Sequence, residues 1–356
     1  MFSGSLVAIV TPMRPDGAVD FEAWARLLDF HLANGTNGIV VGGTTGESAT
    51  VRDAELRELT QRACALVRGR VAVIAGAGTS STAGTVERVG WLSELPVDGL
   101  LLVTPAYNRP TQEGLYLHFA AAAAAARKPV LLYNVPARTA VDMKPATVAR
   151  LAKVAGIVGV KEAVPEAPRV RELLDSCAKD FVVLSGDDAT ARDSIAAGAR
   201  GVISVTANVA PRAMSEMVAA ALAGDRTGAQ RLDARLSALH RELFVEANPI
   251  PAKWVLEQMG LIAAGIRGQV RGLAGTGQRD LLYPLPVDQA SRLFARPDQF
   301  AQDNGAYANR NAPGHGSANA AGGGVRSRHT HRGWPLRRCP SFYRGLPALA
   351  LTPGDC

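Results

Sequence analysis

Lys161 stands where an apolar run, Ile157-Val158-Gly159-Val160, ends abruptly in Lys161-Glu162. A lysine at the end of a buried strand is a candidate amine nucleophile, because burial disfavours the ammonium and frees the amine to attack a ketone. Consecutive strand residues face opposite sides, so Lys161 and Glu162 are not expected to meet. Three other strand ends carry groups suited to the same chemistry: Thr44-Thr45, Tyr107 and Tyr133. Together they suggest carbonyl chemistry through a Schiff base. The run Gly42-Gly43-Thr44-Thr45-Gly46-Glu47-Ser48 is a second signal. Clustered glycines and hydroxyls after a strand put N–H and O–H donors around a small anion, which suits a carboxylate. The run lacks the lysine and spacing of a phosphate-binding loop, which disfavours a nucleotide.

These residues need a scaffold that brings distant strand ends together. Short β-rich runs at 6–10, 38–41, 71–75, 99–103, 130–134, 157–161, 181–185 and 201–204 alternate with helical patterns. In residues 52–67, for example, Leu56, Leu59, Ala63 and Val67 recur at helical spacing. Continuous apolar strands, each followed by a helix, imply parallel pairing buried on both faces. Eight such units before residue 225 favour a closed (β/α)8 TIM barrel, over residues 1–224, in which all carboxyl ends open on one face. An open doubly wound sheet is the alternative, but no Gly-rich dinucleotide loop follows the first run. Polar residues at the expected mouth are Thr11, Thr44-Thr45, Thr104 to Tyr107, Tyr133-Asn134, Lys161, Gly186-Asp187 and Ser204. Pro211 suits the first position of the eighth helix. Helical patterns at 226–245 and 249–259 predict a small C-terminal helical appendage within 225–267.

The 356 residues, 47% of them hydrophobic, suffice for one large α/β domain. Neither a run of about 20 apolar residues nor a signal-peptide start is present, which predicts a cytosolic protein. Cys64, Cys177, Cys339 and Cys356 have no metal-ligand spacing, so no metal site or disulfide framework is expected. Residues 1–267 carry 28 Lys+Arg against 27 Asp+Glu, whereas 268–356 carry 11 against 5. The net charge of +7 therefore lies mainly in the tail, and the main body has no polyanion footprint. The tail holds no lysine and no glutamate, and Arg, Gly, Ala and Pro dominate it. That composition predicts disorder apart from a short helix at 288–294, and it is the bias of GC-rich coding DNA read in a shifted frame.

Eight ordered motifs give the chain a specific resemblance. They are residues 4–12 (GSLVAIVTP), 43–50 (GTTGESAT), 107–117 (YNRPTQEGLYL), 133–139 (YNVPART), 159–163 (GVKEA), 185–189 (SGDDA), 201–208 (GVISVTAN) and 248–254 (NPIPAKW). Over residues 1–267 the chain resembles the dihydrodipicolinate synthases, a family of pyruvate-dependent Schiff-base aldolases. The resemblance implies an imine between Lys161 and pyruvate, with no cofactor. It implies that Tyr133 relays protons and that Thr44 links it to Tyr107, which enters the neighbouring subunit's site. Thr45 and backbone groups at Gly186 and Ile203 would hold the pyruvate carboxylate and orient the imine. Arg138 would receive the carboxylate of L-aspartate 4-semialdehyde, since a guanidinium fork fits a carboxylate bidentately. The resemblance also implies assembly as a homotetramer of tight dimers. Sister aldolases using another aldehyde usually lack the arginine; an inactive pyruvate-binding module is the reading from another class.

Two local departures from the family pattern concern Ala106, where an aromatic commonly stands, and Val164-Pro165, where a Thr-Gly-like pair is usual. Proline restricts Val164 to extended geometry and removes an N–H. Lysine-sensitive relatives bind lysine at positions corresponding to Ser48, Ala49, Asp53, Leu56, Ser80, Gly84 and Ala106. Leu56, Gly84 and Ala106 lack the imidazole, carboxylate and aromatic expected there, which predicts weak or absent lysine inhibition.

Overall fold

The computed structural model describes residues 2–267, so the expectations for 268–356 lie outside the described residues. Eight parallel strands close into a barrel in sequence order: β1 (Gly4–Ala8), β2 (Gly38–Val41), β3 (Ala72–Gly76), β4 (Gly99–Val103), β5 (Val130–Asn134), β6 (Ile157–Glu162), β7 (Val182–Ser185) and β8 (Gly201–Ser204). β8 returns to β1 with Gly4 opposite Gly201 and closes the ring. The TIM barrel expected from the alternating runs is thus the observed fold, with strand limits shifted by at most two residues.

The helices follow from local signals. α1 (Phe21–Ala33) starts where the Asp20 carboxylate accepts the N–H groups of Glu22 and Ala23. α2 (Asp53–Val67) begins after Arg52, whose N–H is accepted by Glu55, and stops at Arg68 in the left-handed region. α3 (Thr82–Leu92) and α4 (Gln112–Ala125) have hydroxyl caps at Ser81 and Thr111. The one-turn α5 (Pro136–Thr139), α6 (Pro145–Leu151) and α7 (Ala167–Ser176) each carry proline in the first turn, where a missing N–H costs nothing. α8 (Ala191–Ala196), α9 (Pro211–Leu222), α10 (Arg226–Glu242) and α11 (Ile250–Gln258) complete the described α-helices, with Pro211 opening α9 as its position predicted.

Two apolar layers hold this arrangement. Between strands and helices lies the larger core, which includes Trp24, Leu59, Phe119, Leu132 and Met214. Inside the barrel, Leu6, Val40, Ile74, Leu101, Leu131, Tyr133, Val182, Leu184 and Ile203 fill the axis, with Phe2 among them. The barrel is therefore a packed core, and its free volume for chemistry lies at the strand ends.

Candidate active site at the strand-end mouth

β5 and β6 place Tyr133 directly beside Lys161 in the parallel ladder. Both side chains are buried, and the Lys161 Nζ lies over the Tyr133 ring, 4.2 Å from its centroid. Among the described residues no carboxylate pairs with this amine. Glu162 points the other way, as strand alternation predicts: its carboxylate accepts the Asn134 Nδ2 at 3.0 and 3.1 Å and the Val164 N–H at 2.9 Å. Gly186 completes this side. A Cβ there would lie 3.0 Å from the Lys161 Cε and 2.9 Å from the Ala163 Cβ, so any larger residue would press on both, and glycine leaves the lysine side chain its room. The Gly186 N–H donates to the Glu162 carbonyl, fixing β7's exit against β6. Ile203 packs into the barrel interior with Tyr133. Past β8, one Asp188 oxygen accepts the N–H groups of Val205 and Thr206.

Behind Tyr133 and Lys161 sits a polar network that the sequence motifs did not reveal. Asn134 donates to Asp142 as well as to Glu162, and its Oδ1 accepts the Met143 N–H. Arg169 of α7 donates through both terminal nitrogens to Asp142, which also takes Lys144. The two carboxylates diverge in consequence. Burial pushes the Glu162 carboxyl up to about 7, against the hydrogen bonds from Val164 and Asn134. Asp142 is also raised by burial, but hydrogen bonds from Arg169, Lys144 and Asn134 outweigh it and bring the group down to about 2. The network also accounts for Val164-Pro165: the one N–H this pair retains is taken by Glu162, and proline adds no donor to satisfy.

The loop after β2 forms the opposite side of the mouth. Gly42 turns it at φ 66°, and a Cβ on Gly76 would overlap the Gly42 carbonyl, so backbone crosses backbone there. Thr44 is half-buried and Thr45 is buried. The Thr45 Oγ1 accepts from the Asn248 Nδ2 at 2.9 Å, which leaves the hydroxyl proton free to donate. The Arg138 guanidinium, exposed at the end of α5, donates to the Asn248 carbonyl at 3.2 Å. Asn248 thereby connects two residues expected to bind carboxylates, and its own buried Oδ1 has no partner among the described residues.

Tyr107 is not brought to this cluster. It is 95% exposed at φ 75°, in a tight turn closed by the Asn108 N–H on the Ala106 carbonyl. A tyrosine held in the left-handed region is strained, and here the strain presents an aromatic ring outward. No side-chain hydrogen bond joins Thr44 to Tyr133 or Tyr107 among the described residues.

Fold and cluster define a class: a TIM-barrel protein with a buried lysine amine and a donor-rich loop facing each other across the strand-end mouth. The dihydrodipicolinate synthetase family matches residues 1–274, and the chain belongs to it. A 4-hydroxy-tetrahydrodipicolinate synthase from Stutzerimonas stutzeri (strain A1501) is 53% identical over 292 residues, 82% of this chain and 98% of the relative. One from Pseudomonas aeruginosa is 51% identical over 75% of this chain and 91% of its own length. Among solved structures, the chloride-inhibited dihydrodipicolinate synthase from Acinetobacter baumannii, complexed with pyruvate, is 43% identical with a TM-score of 0.77, covering 86% of this chain and 99% of that one. The lysine-bound enzyme from Cyanidioschyzon merolae is 34% identical with a TM-score of 0.74, covering 85% and 98%.

Proposed function

We propose that this enzyme is a lyase that condenses pyruvate with L-aspartate 4-semialdehyde, as a 4-hydroxy-tetrahydrodipicolinate synthase in diaminopimelate and lysine biosynthesis. The observation that carries the reading is the Lys161 amine against the Tyr133 ring, with room secured by Gly186. Lys161 attacks C2 of pyruvate, and loss of water gives the imine. Tyr133 relays the proton when C3 is deprotonated to the enamine, with Thr44 and a neighbouring subunit's Tyr107 as the path onward. The exposed, strained Tyr107 supports a contribution to a second copy's mouth. Thr45 and the backbone at Gly186 and Ile203 bind the pyruvate carboxylate and orient the imine.

The enamine carbon then attacks the aldehyde, and the substrate's own amine attacks the imine carbon, closing the ring and releasing the Lys161 amine. Arg138 binds the second substrate's carboxylate; its tie to Asn248 holds it on the side of the Thr45 loop. This chemistry runs without a cofactor. The working assembly is a cytoplasmic homotetramer of tight dimers. No described helix is long and apolar enough to cross a membrane. Turnover of pyruvate with a panel of aldehydes tests the reading: L-aspartate 4-semialdehyde is the preferred partner, and a preference for an aldehyde without a carboxylate would overturn it in favour of a sister aldolase.

A further inference from the structure

Glu47 and Lys253 form a buried ion pair that no step above uses. Glu47 is 2% exposed and Lys253 5% exposed, and their side chains touch across 206 residues of sequence. Burying two charges is costly, and a well-packed apolar pair in their place is often as stable. The pair therefore calls for a reason beyond stability, and its surroundings supply one. Glu47 sits two residues after Thr45, at φ 58°, a left-handed conformation that a glutamate adopts only when held. Its N–H donates to the Thr44 carbonyl, its carbonyl accepts from Thr50 and Val51, and its second carboxylate oxygen accepts the Arg267 N–H at 3.1 Å. Lys253 lies on α11, whose entry carries the Asn248 that donates to Thr45. The strand-end loop is thus gripped at two points by one short helix.

We infer that the Glu47–Lys253 pair is a positioning element for the carboxylate-binding loop, fixing where the Thr44 and Thr45 hydroxyls stand relative to Lys161. Neither charged group reaches the reacting atoms; each acts through the loop backbone. The inference rests on the function proposed above and adds the residues that set the affinity of its first step. Lys161 stands on β6 with its own supporting network, so loss of the pair weakens capture of pyruvate and leaves the amine competent.

The test measures, for folded enzyme, the pyruvate concentration giving half-maximal borohydride-trapped adduct, together with kcat and both KM values. Lys253→Met raises the pyruvate half-saturation on the order of tenfold, while trapping on Lys161 at saturating pyruvate remains complete. Lys253→Arg keeps the pair and restores most of the affinity. Because Lys253→Met leaves the buried Glu47 carboxylate without its counter-ion and with only the Arg267 N–H, the double variant Glu47→Met/Lys253→Met removes both charges together; it folds and shows the same raised half-saturation. Unchanged pyruvate dependence in the folded variants would overturn the inference. So would failure of the double variant to fold, since the pair would then serve the fold rather than the loop. Absence of any adduct in the unaltered enzyme would instead sink the Schiff-base reading.

Discussion

The two sides of the barrel mouth are built on different principles. On the β5–β6 side, Tyr133 and Lys161 are neighbours in a strand ladder, supported by Asn134, Asp142, Glu162 and Arg169, all within a short stretch of chain. On the β2 side, Thr44 and Thr45 ride on a loop whose supports, Asn248 and Lys253, come from 203 and 206 residues away. The first side is held by a hydrogen-bonded network anchored on the Asp142 ion pairs with Arg169 and Lys144, and the second by a single, more deeply buried charge pair. The side to which bond making is assigned in the proposed function is thus local and set by strand geometry, whereas the side assigned to the anion depends on the chain's last described helix.

Perturbing each side separately sharpens this contrast. Lys161→Ala on the β6 side removes the proposed nucleophile and is expected to lower turnover on the order of 10³-fold or more, measured as kcat with both substrates saturating. Gly186→Ala pushes a methyl to 3.0 Å from the Lys161 Cε; the few tenths of an ångström by which the lysine must give lowers kcat, by less than the roughly 10²-fold that a misplacement of about 1 Å costs, with pyruvate KM little changed. On the β2 side, Lys253→Met strands the buried Glu47 carboxylate and lowers unfolding free energy by about 3–5 kcal/mol in denaturant titration. The two sides then separate as loss of kcat against loss of affinity and stability.

A gentler probe uses pH. The Glu162 carboxyl is lifted from 4.5 to about 7, so between those values the folded chain keeps a proton that the unfolded chain has lost. Its contribution is full below pH 4.5, declines as pH rises through 7, and amounts to on the order of 3 kcal/mol across the window. Asp142 has the opposite sign: its contribution is full above pH 4 and disappears as pH falls toward 2. Glu162→Gln is expected to flatten the decline between pH 4.5 and 7 in melting profiles while leaving the acid limb in place. Persistence of the full decline in that variant would assign it to another group.

The smallest effect expected is on regulation. Leu56 is buried and packs against Gly42, and the Asp53 carboxylate is paired with Arg88 at 2.6 Å. With an apolar residue and a satisfied acid at positions where lysine-sensitive relatives hold their effector, millimolar lysine leaves the initial rate essentially unchanged. Half-inhibition at sub-millimolar lysine would contradict this.

What could be read from sequence follows the same division. Apolar runs located every strand, because strands buried on both faces have no other composition, and β2, β4, β5 and β8 have the expected limits. Lys161 and Tyr133 stood out because a polar group ending such a run must face the mouth. The supports of the β2 loop did not stand out, since pairing across 200 residues leaves no local periodicity. Asn248 and Lys253 lay inside a recognised motif, yet α10 and α11 were expected to be a mere appendage. A lysine in an otherwise apolar helix start, and a glutamate following Thr-Thr-Gly, were the available signals. Glu162 was legible as facing away from Lys161, but its grip on Val164 required the loop's folded path.

The most direct test of the central claim is reduction with borohydride in the presence of pyruvate, followed by peptide mass spectrometry of the trapped protein. The account predicts one stable adduct, carrying the mass of reduced pyruvate, on Lys161. Folded protein that yields no adduct, or one on a different lysine, would contradict it.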